Sequence, residues 1–182
     1  LAGYRYGFFP INGHNILVTD ELKLPKAVQG SFPIIEALFD KWFGDEQWGY
    51  VVGWLTHAYL NLMPDNNAFL PAQMLTVCGP PGAGKNLFQD IVTAVLGGRV
   101  AKPYRYLSGG TQFNLDLAGA EHLQIADEVG KQDFATRRKF GAALKDICVN
   151  STQSIHPKGK NAVNLPLRWR ITASLNDRDE DL

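Results

Sequence analysis

Between residues 33 and 43, apolar side chains fall at Ile34, Ile35, Leu38, Phe39, Trp42 and Phe43, the spacing of one helical face, and Gly44 follows as a stop. Residues 45 to 63 repeat the pattern through Trp48, Val51, Val52, Leu55, Tyr59 and Leu62 until Pro64 closes it. Two helices are predicted. The turn-forming run Pro64, Asp65, Asn66 and Asn67 then divides the chain into an N-terminal helical segment, residues 1–70, and a core, residues 71–182. Past this point the period changes. Met74 to Cys78 is a short apolar run ending in glycine, and Leu87 to Leu96 is helical and stops at Gly97 and Gly98, which predicts strand, loop and helix. Arg99 to Leu107 reads as a second strand, His122 to Ala126 as a short buried one and Phe134 to Val149 as an amphipathic helix. Thr152 to Leu165 alternates around Pro157 to Lys160 like a β-hairpin, and Arg168 to Ser174 is a final strand. Strands alternating with helices predict an α/β fold built on a parallel sheet, with the β-hairpin as an insertion.

Composition supports a packed domain: 45% of the 182 residues are hydrophobic and 20% charged. Eighteen basic residues balance eighteen acidic ones, which excludes a protein that coats nucleic acid by bulk charge. The balance is local, however. Between residues 131 and 170 nine basic residues face only Asp133 and Asp146, whereas residues 1 to 70 carry an acidic excess, so the neutral total hides a polarised molecule and any polyanion site must be local. Cys78 and Cys148 lie far apart with no metal-ligand spacing, which argues against a disulfide framework or a zinc site. Neither a membrane-spanning run nor a signal peptide is present, so a cytoplasmic protein without membrane partners is expected. The chain begins at Leu1 and stops in the acidic run Asp177 to Asp181, and it reads as a piece truncated at its C-terminal end.

The strongest chemical signal is Gly79-Pro80-Pro81-Gly82-Ala83-Gly84-Lys85-Asn86, directly after a predicted strand and opening a predicted helix. Glycines there let successive backbone N–H groups converge into an anion nest at the positive end of the helix dipole. Gly79, Gly82, Ala83, Gly84, Lys85, Asn86 and Leu87 are the expected nucleotide-binding residues, with Lys85 reaching the outer phosphates of ATP. The usual Ser or Thr that ligates Mg²⁺ is here Asn86, whose amide oxygen can take the same place or hold a metal-bound water.

Leu123 to Ala126 is an apolar strand ending in Asp127 and Glu128. Asp127 would hold Mg²⁺ through water and Glu128 would polarise an attacking water. A nucleotide monophosphate kinase, which also carries a GPPGAGK loop, has no need of the second acid and normally begins with the loop, whereas 78 residues precede it here. That phosphotransferase remains the alternative. A nucleotide-binding switch with little hydrolysis, suggested by Asn86, is another.

The P-loop, the strand-terminal acid pair, the hairpin tip His156-Pro157-Lys158-Gly159-Lys160 and the strand Arg168 to Asn176 follow one another within about 100 residues. This order resembles the superfamily 3 helicases, AAA+-like ring ATPases of phages and mobile elements, and most of all the helicase part of primase-helicases. Gly97-Gly98-Arg99-Val100, Thr111-Gln112-Phe113-Asn114 and Ser174-Leu175-Asn176-Asp177 are further echoes, so the likeness spans residues 33 to 182. The resemblance implies a P-loop ATPase core that hydrolyses ATP with Mg²⁺ while translocating on single-stranded DNA as a hexameric ring, with a primase domain linked to it. It also implies that Asn176, with Ser174 as the lesser candidate, senses the γ-phosphate from a strand between the P-loop and acid strands. Lys158, Lys160 and His156 would be the DNA contacts. The arginine finger is expected beyond Leu182, Arg178 lying too close to the sensor. The scattered His14, His57 and His122 read as surface or satisfied core positions, Cys78 and Cys148 as small hydrophobes, and Trp42, Trp48 and Trp54 as core.

Overall fold

The computed structural model describes residues 1–63, 73–126 and 133–177. Its centre is a four-stranded parallel sheet of β3 (Leu75–Cys78), β8 (Arg170–Leu175), β5 (His122–Ile125) and β4 (Val100–Ala101), in that spatial order. Helix α2 (Lys85–Val95) follows β3, as the motif requires, and ends where Gly97 and Gly98, both at positive φ, donate to Ala94 O and Thr93 O. Helix α4 (Phe134–Val149) starts at Asp133, whose Oδ1 accepts from Thr136 N at 2.7 Å. That backbone donor holds the Asp133 carboxyl below the usual carboxylate range. The insertion is antiparallel, β6 (Gln153–Ile155) with β7 (Val163–Leu165).

Helix α1 (Pro33–Leu62) spans both predicted helices, and Gly44 (φ 58°, ψ −179°) interrupts it where the sequence places a stop. The segment expected as a strand over 99–107 instead forms the two-residue β4 and the short helix α3 (Tyr104–Leu107). Pro103 causes the difference: it has no N–H for a ladder and occupies helical φ/ψ just before α3. The N-terminal segment also holds a hairpin, β1 (Gly7–Ile11) with β2 (His14–Val18), turned by Asn12 and Gly13 at positive φ.

The two faces of the central sheet differ in chemistry. One is covered by α3, α4 and the insertion through an apolar core containing Leu107, Leu123, Ile125, Ile147, Ile155, Leu165, Ile171 and Ala173. On the other, α1 and α2 share a second core of Phe39, Val51, Trp54, Val77, Phe88, Val92 and Leu96. Full burial of such side chains contributes about 2 kcal/mol each. Among the described residues no helix is long and apolar enough to cross a membrane.

Beside this second core lies a buried polar network. Gln89 Nε2 donates to Thr172 Oγ1 (2.9 Å) and Ile125 O (3.3 Å), linking α2 to β8 and β5. His122, fully buried, lies 2.7 Å from Thr93 Oγ1 through Nδ1 and 2.8 Å from Thr172 Oγ1 through Nε2. Thr93 Oγ1 donates to Gln89 O, so Nδ1–H must donate to Thr93 while the Thr172 hydroxyl donates to Nε2. All these contacts require the neutral imidazole, and burial pushes its pKa down to about 4. His122 was expected to be either a surface or a satisfied core residue, and it is the latter.

Unfolded His122 takes up its proton near pH 6.5, whereas the folded protein resists until about pH 4. The unfolded state therefore binds more protons across that window, and folding stability drops as pH falls through it, by about 3 kcal/mol in all. His122→Asn should lower stability at pH 7 and remove that part of the slope between pH 6.5 and 4, as read from urea unfolding at a series of pH values. An unchanged slope would refute the assignment.

Candidate functional site

The motif residues meet at the C-terminal edge of the sheet, where ligands bind in open α/β folds. Gly79 N donates to Leu175 O (3.2 Å), fastening the start of the loop to the end of β8. Gly82 and Gly84 sit at φ +82° and +91°, backbone that favours glycine, and a Cβ on Gly82 would point into open space. Among the described residues, the N–H groups of Gly82, Gly84 and Asn86 have no acceptor, as an anion cradle at a helix start requires. Asn86 and Leu87 are exposed in the first turn of α2.

Lys85 closes the arrangement. Its Nζ donates to Gly79 O (2.6 Å), Pro80 O (3.0 Å) and Asn176 Oδ1 (3.0 Å). The side chain thus lies across the mouth of the loop and touches the residue just past the end of β8. That strand lies between β3, which precedes the glycine-rich loop, and β5. Ser174 is fully buried beside Val77, with its Oγ unpartnered, so Asn176 and not Ser174 presents its polar group at the loop. Cys78, expected as a small hydrophobe, is exposed at the end of β3, and its thiol donates to Asn176 O (3.6 Å). Cys148 is buried, and burial pushes its thiol pKa up.

Asp127 and Glu128, the expected metal-holding and water-polarising acids, and Arg178 lie outside the described residues. Among the described residues no group of three His, Cys, Asp or Glu side chains is placed to hold a metal.

The basic hairpin is a separate feature. Lys158 and Lys160 are exposed at its tip, where Gly159 (φ +74°) makes the turn and Lys160 N donates to Pro157 O (3.3 Å). His156 is half-buried at the base instead, with its ring edge-on to Phe113 at 5.4 Å. Asn114 braces this base: Oδ1 accepts from His156 N (2.7 Å) and Nδ2 donates to Ser154 O (3.0 Å). On the far strand, Asn12 of the N-terminal turn donates through Nδ2 to Asn164 O (2.9 Å). Two asparagines thus hold both strands of the insertion, whose lysines stand exposed at the tip. Thr111-Gln112-Phe113-Asn114 was legible only as an echo of a family, and its mechanical role follows from these bonds.

Arg99, another echo, is also a clamp. Its Nε donates to Glu121 Oε2 (2.8 Å) and Nη2 to Glu121 Oε1, while Gly3 N donates to Glu121 Oε1 at 2.9 Å. Glu121 is fully buried, so the N-terminal segment is pinned to the core by a charge that cannot be left alone. The sequence offered no partner for Arg99, because Glu121 precedes a strand from which nothing marked it as buried.

No curated protein matches the chain. The apo structure of the NrS-1 C terminal region is similar, with TM-score 0.69 at 17% identity, covering 94% of this chain and 42% of that one. The A form apo structure of the same region gives TM-score 0.66, also at 17% identity, covering 97% of this chain and 44% of the other. These likenesses show a shared fold, and this chain spans less than half the length of those structures. Residues 77–181, running from β3 through the hairpin and past β8, match the model described as a family of unknown function, DUF5906. The chain belongs to that family.

Proposed function

We propose that this chain is the ATP-binding motor core of a DNA helicase that serves replication of a phage or mobile element. The observation that carries the reading is the Lys85 Nζ bridge between the phosphate-type loop and Asn176, on a strand inserted between β3 and β5. A phosphate held by the free loop N–H groups would compete for the Lys85 ammonium, releasing Asn176 to orient a water or contact the terminal phosphoryl. The site would report the γ-phosphate through β8. The residues fit ATP with Mg²⁺: the open cradle at Gly82, the cation of Lys85 and the amide of Asn86 supply donors to phosphate and an oxygen to the metal, with Asp127 as its second holder. Glu128 would be the base for water. Bound Mg²⁺ would supply charge neutralisation on the phosphates.

Single-stranded DNA would be gripped by Lys158 and Lys160 through its phosphates, without base reading. The half-buried His156 ring contributes by fixing the hairpin base against Phe113. Assembly into a ring, the linked primase and an arginine finger from a neighbour belong to the same reading.

Lys85→Ala should abolish ATP–Mg²⁺ binding in calorimetry, whereas Glu128→Gln should leave binding intact and slow hydrolysis by about 10²-fold. Unchanged affinity in the first variant would sink the P-loop assignment, and joint loss of binding and turnover in the second would make Glu128 structural. Should Glu128→Gln change nothing because the wild type scarcely hydrolyses ATP, the nucleotide-switch reading motivated by Asn86 takes over.

Replacing Lys158 and Lys160 together by Ala should weaken single-stranded DNA binding and leave ATP affinity unchanged. The log–log salt dependence should flatten by about 0.7 per phosphate contact removed. An unchanged slope would move the DNA path elsewhere, the exposed Arg137, Arg138 and Lys139 of α4 being the next basic surface.

A further inference from the structure

The P-loop borders a cleft of about 430 Å³ whose opposite wall comes from α1, not from the core that carries the motifs. Trp42 lies in the last turn before Gly44, and its half-buried ring lines this cleft beside Gly84. A Cβ added to Gly84 would stand 2.9 Å from Trp42 Cζ2 and 3.0 Å from Nε1, so indole and loop backbone are in direct contact. The ring is held from behind by Phe39 and Phe88, at centroid distances of 5.8 and 6.0 Å. Packing among these aromatics fixes the indole in place while leaving part of it open to the cleft. Trp42 was expected to be core; it packs against Phe39, Phe43 and Phe88 and also lines the cleft.

We infer that Trp42 is the stacking surface for the base of the nucleotide whose phosphates occupy the loop. This rests on the nucleotide-binding reading above and adds a residue to it from outside the motif. Three features agree. The cleft volume lies in the range of small-molecule sites and suits a mononucleotide. Its lining combines the phosphate-type loop with apolar side chains, Leu38, Trp42 and Val77 among them, so a ligand with a charged end and a flat apolar end matches both halves. A rigid aromatic beside a phosphate cradle recognises any base by its π-face, and such stacking is worth about tenfold or more in affinity. The kink at Gly44 acquires a purpose: it ends the first half of α1 where Trp42 faces Gly84.

The test compares ATP with inorganic tripolyphosphate, each with Mg²⁺, by calorimetry on the whole chain. Trp42→Ala should weaken ATP about tenfold and leave tripolyphosphate within twofold, while Trp42→Phe should keep most of the ATP affinity. Trp42→Leu, which retains apolar packing without a π-face, should lose ATP like the alanine variant and guards against simple misfolding. Equal weakening of both ligands would show that the ring shapes the loop, and unchanged ATP affinity would show that the base lies elsewhere; either overturns the inference alone. A wild type that binds neither ligand would overturn the nucleotide-binding reading and this inference with it.

Discussion

The Lys85 ammonium must have acceptors, and in this fold it finds them on two different elements. Gly79 O and Pro80 O belong to the loop after β3, and Asn176 Oδ1 to the end of β8. One cation thereby ties the loop to the neighbouring strand, and the edge of the sheet becomes a single polar site. Hydrogen bonds from a charged donor are stronger than neutral ones, so this set defines the resting geometry of the loop. A nucleotide replacing one of these acceptors would change what β8 feels.

That coupling needs a rigid base, and the polar network beneath it provides one. Gln89, Thr93, His122 and Thr172 join α2, β5 and β8 through side chains buried from solvent. An apolar face would pack as tightly, as the opposite side of the sheet shows. Hydrogen bonds add direction: each donor has one matching acceptor, and a shift of α2 along the sheet would leave buried groups unpaired at about 1–3 kcal/mol apiece. Helix α2 is therefore held in one register relative to the strand that leads to Asn176.

Much of this architecture could be read from the sequence where local signals and burial agree. Periodicity located α2, α4 and the kinked α1, because apolar spacing is the direct image of a buried face, and Gly44 marked the kink. The strand–loop–helix over β3 and α2 was legible because Gly82 and Gly84 take a backbone geometry that favours glycine. The region around Pro103 misled, since apolar content there suits a strand while proline denies it the ladder. Asn12-Gly13 between alternating apolar residues was a hairpin signal that went unused. The partners of Trp42, Asn114 and Arg99 could not be read for another reason: each acts on a residue far away in sequence, at Gly84, at Ser154 and His156, and at Glu121 across 22 positions. Side chains whose partners are tertiary leave no periodic trace.

On the function proposed above, nucleotide enters the loop and is felt by β8. Amide hydrogen exchange with and without ATP–Mg²⁺ tests this most directly, because loop and strand report separately in one experiment. Added protection is expected over Gly82 to Phe88 together with a change at Leu175 and Asn176. Protection confined to other parts of the chain, or none at the loop, would contradict it.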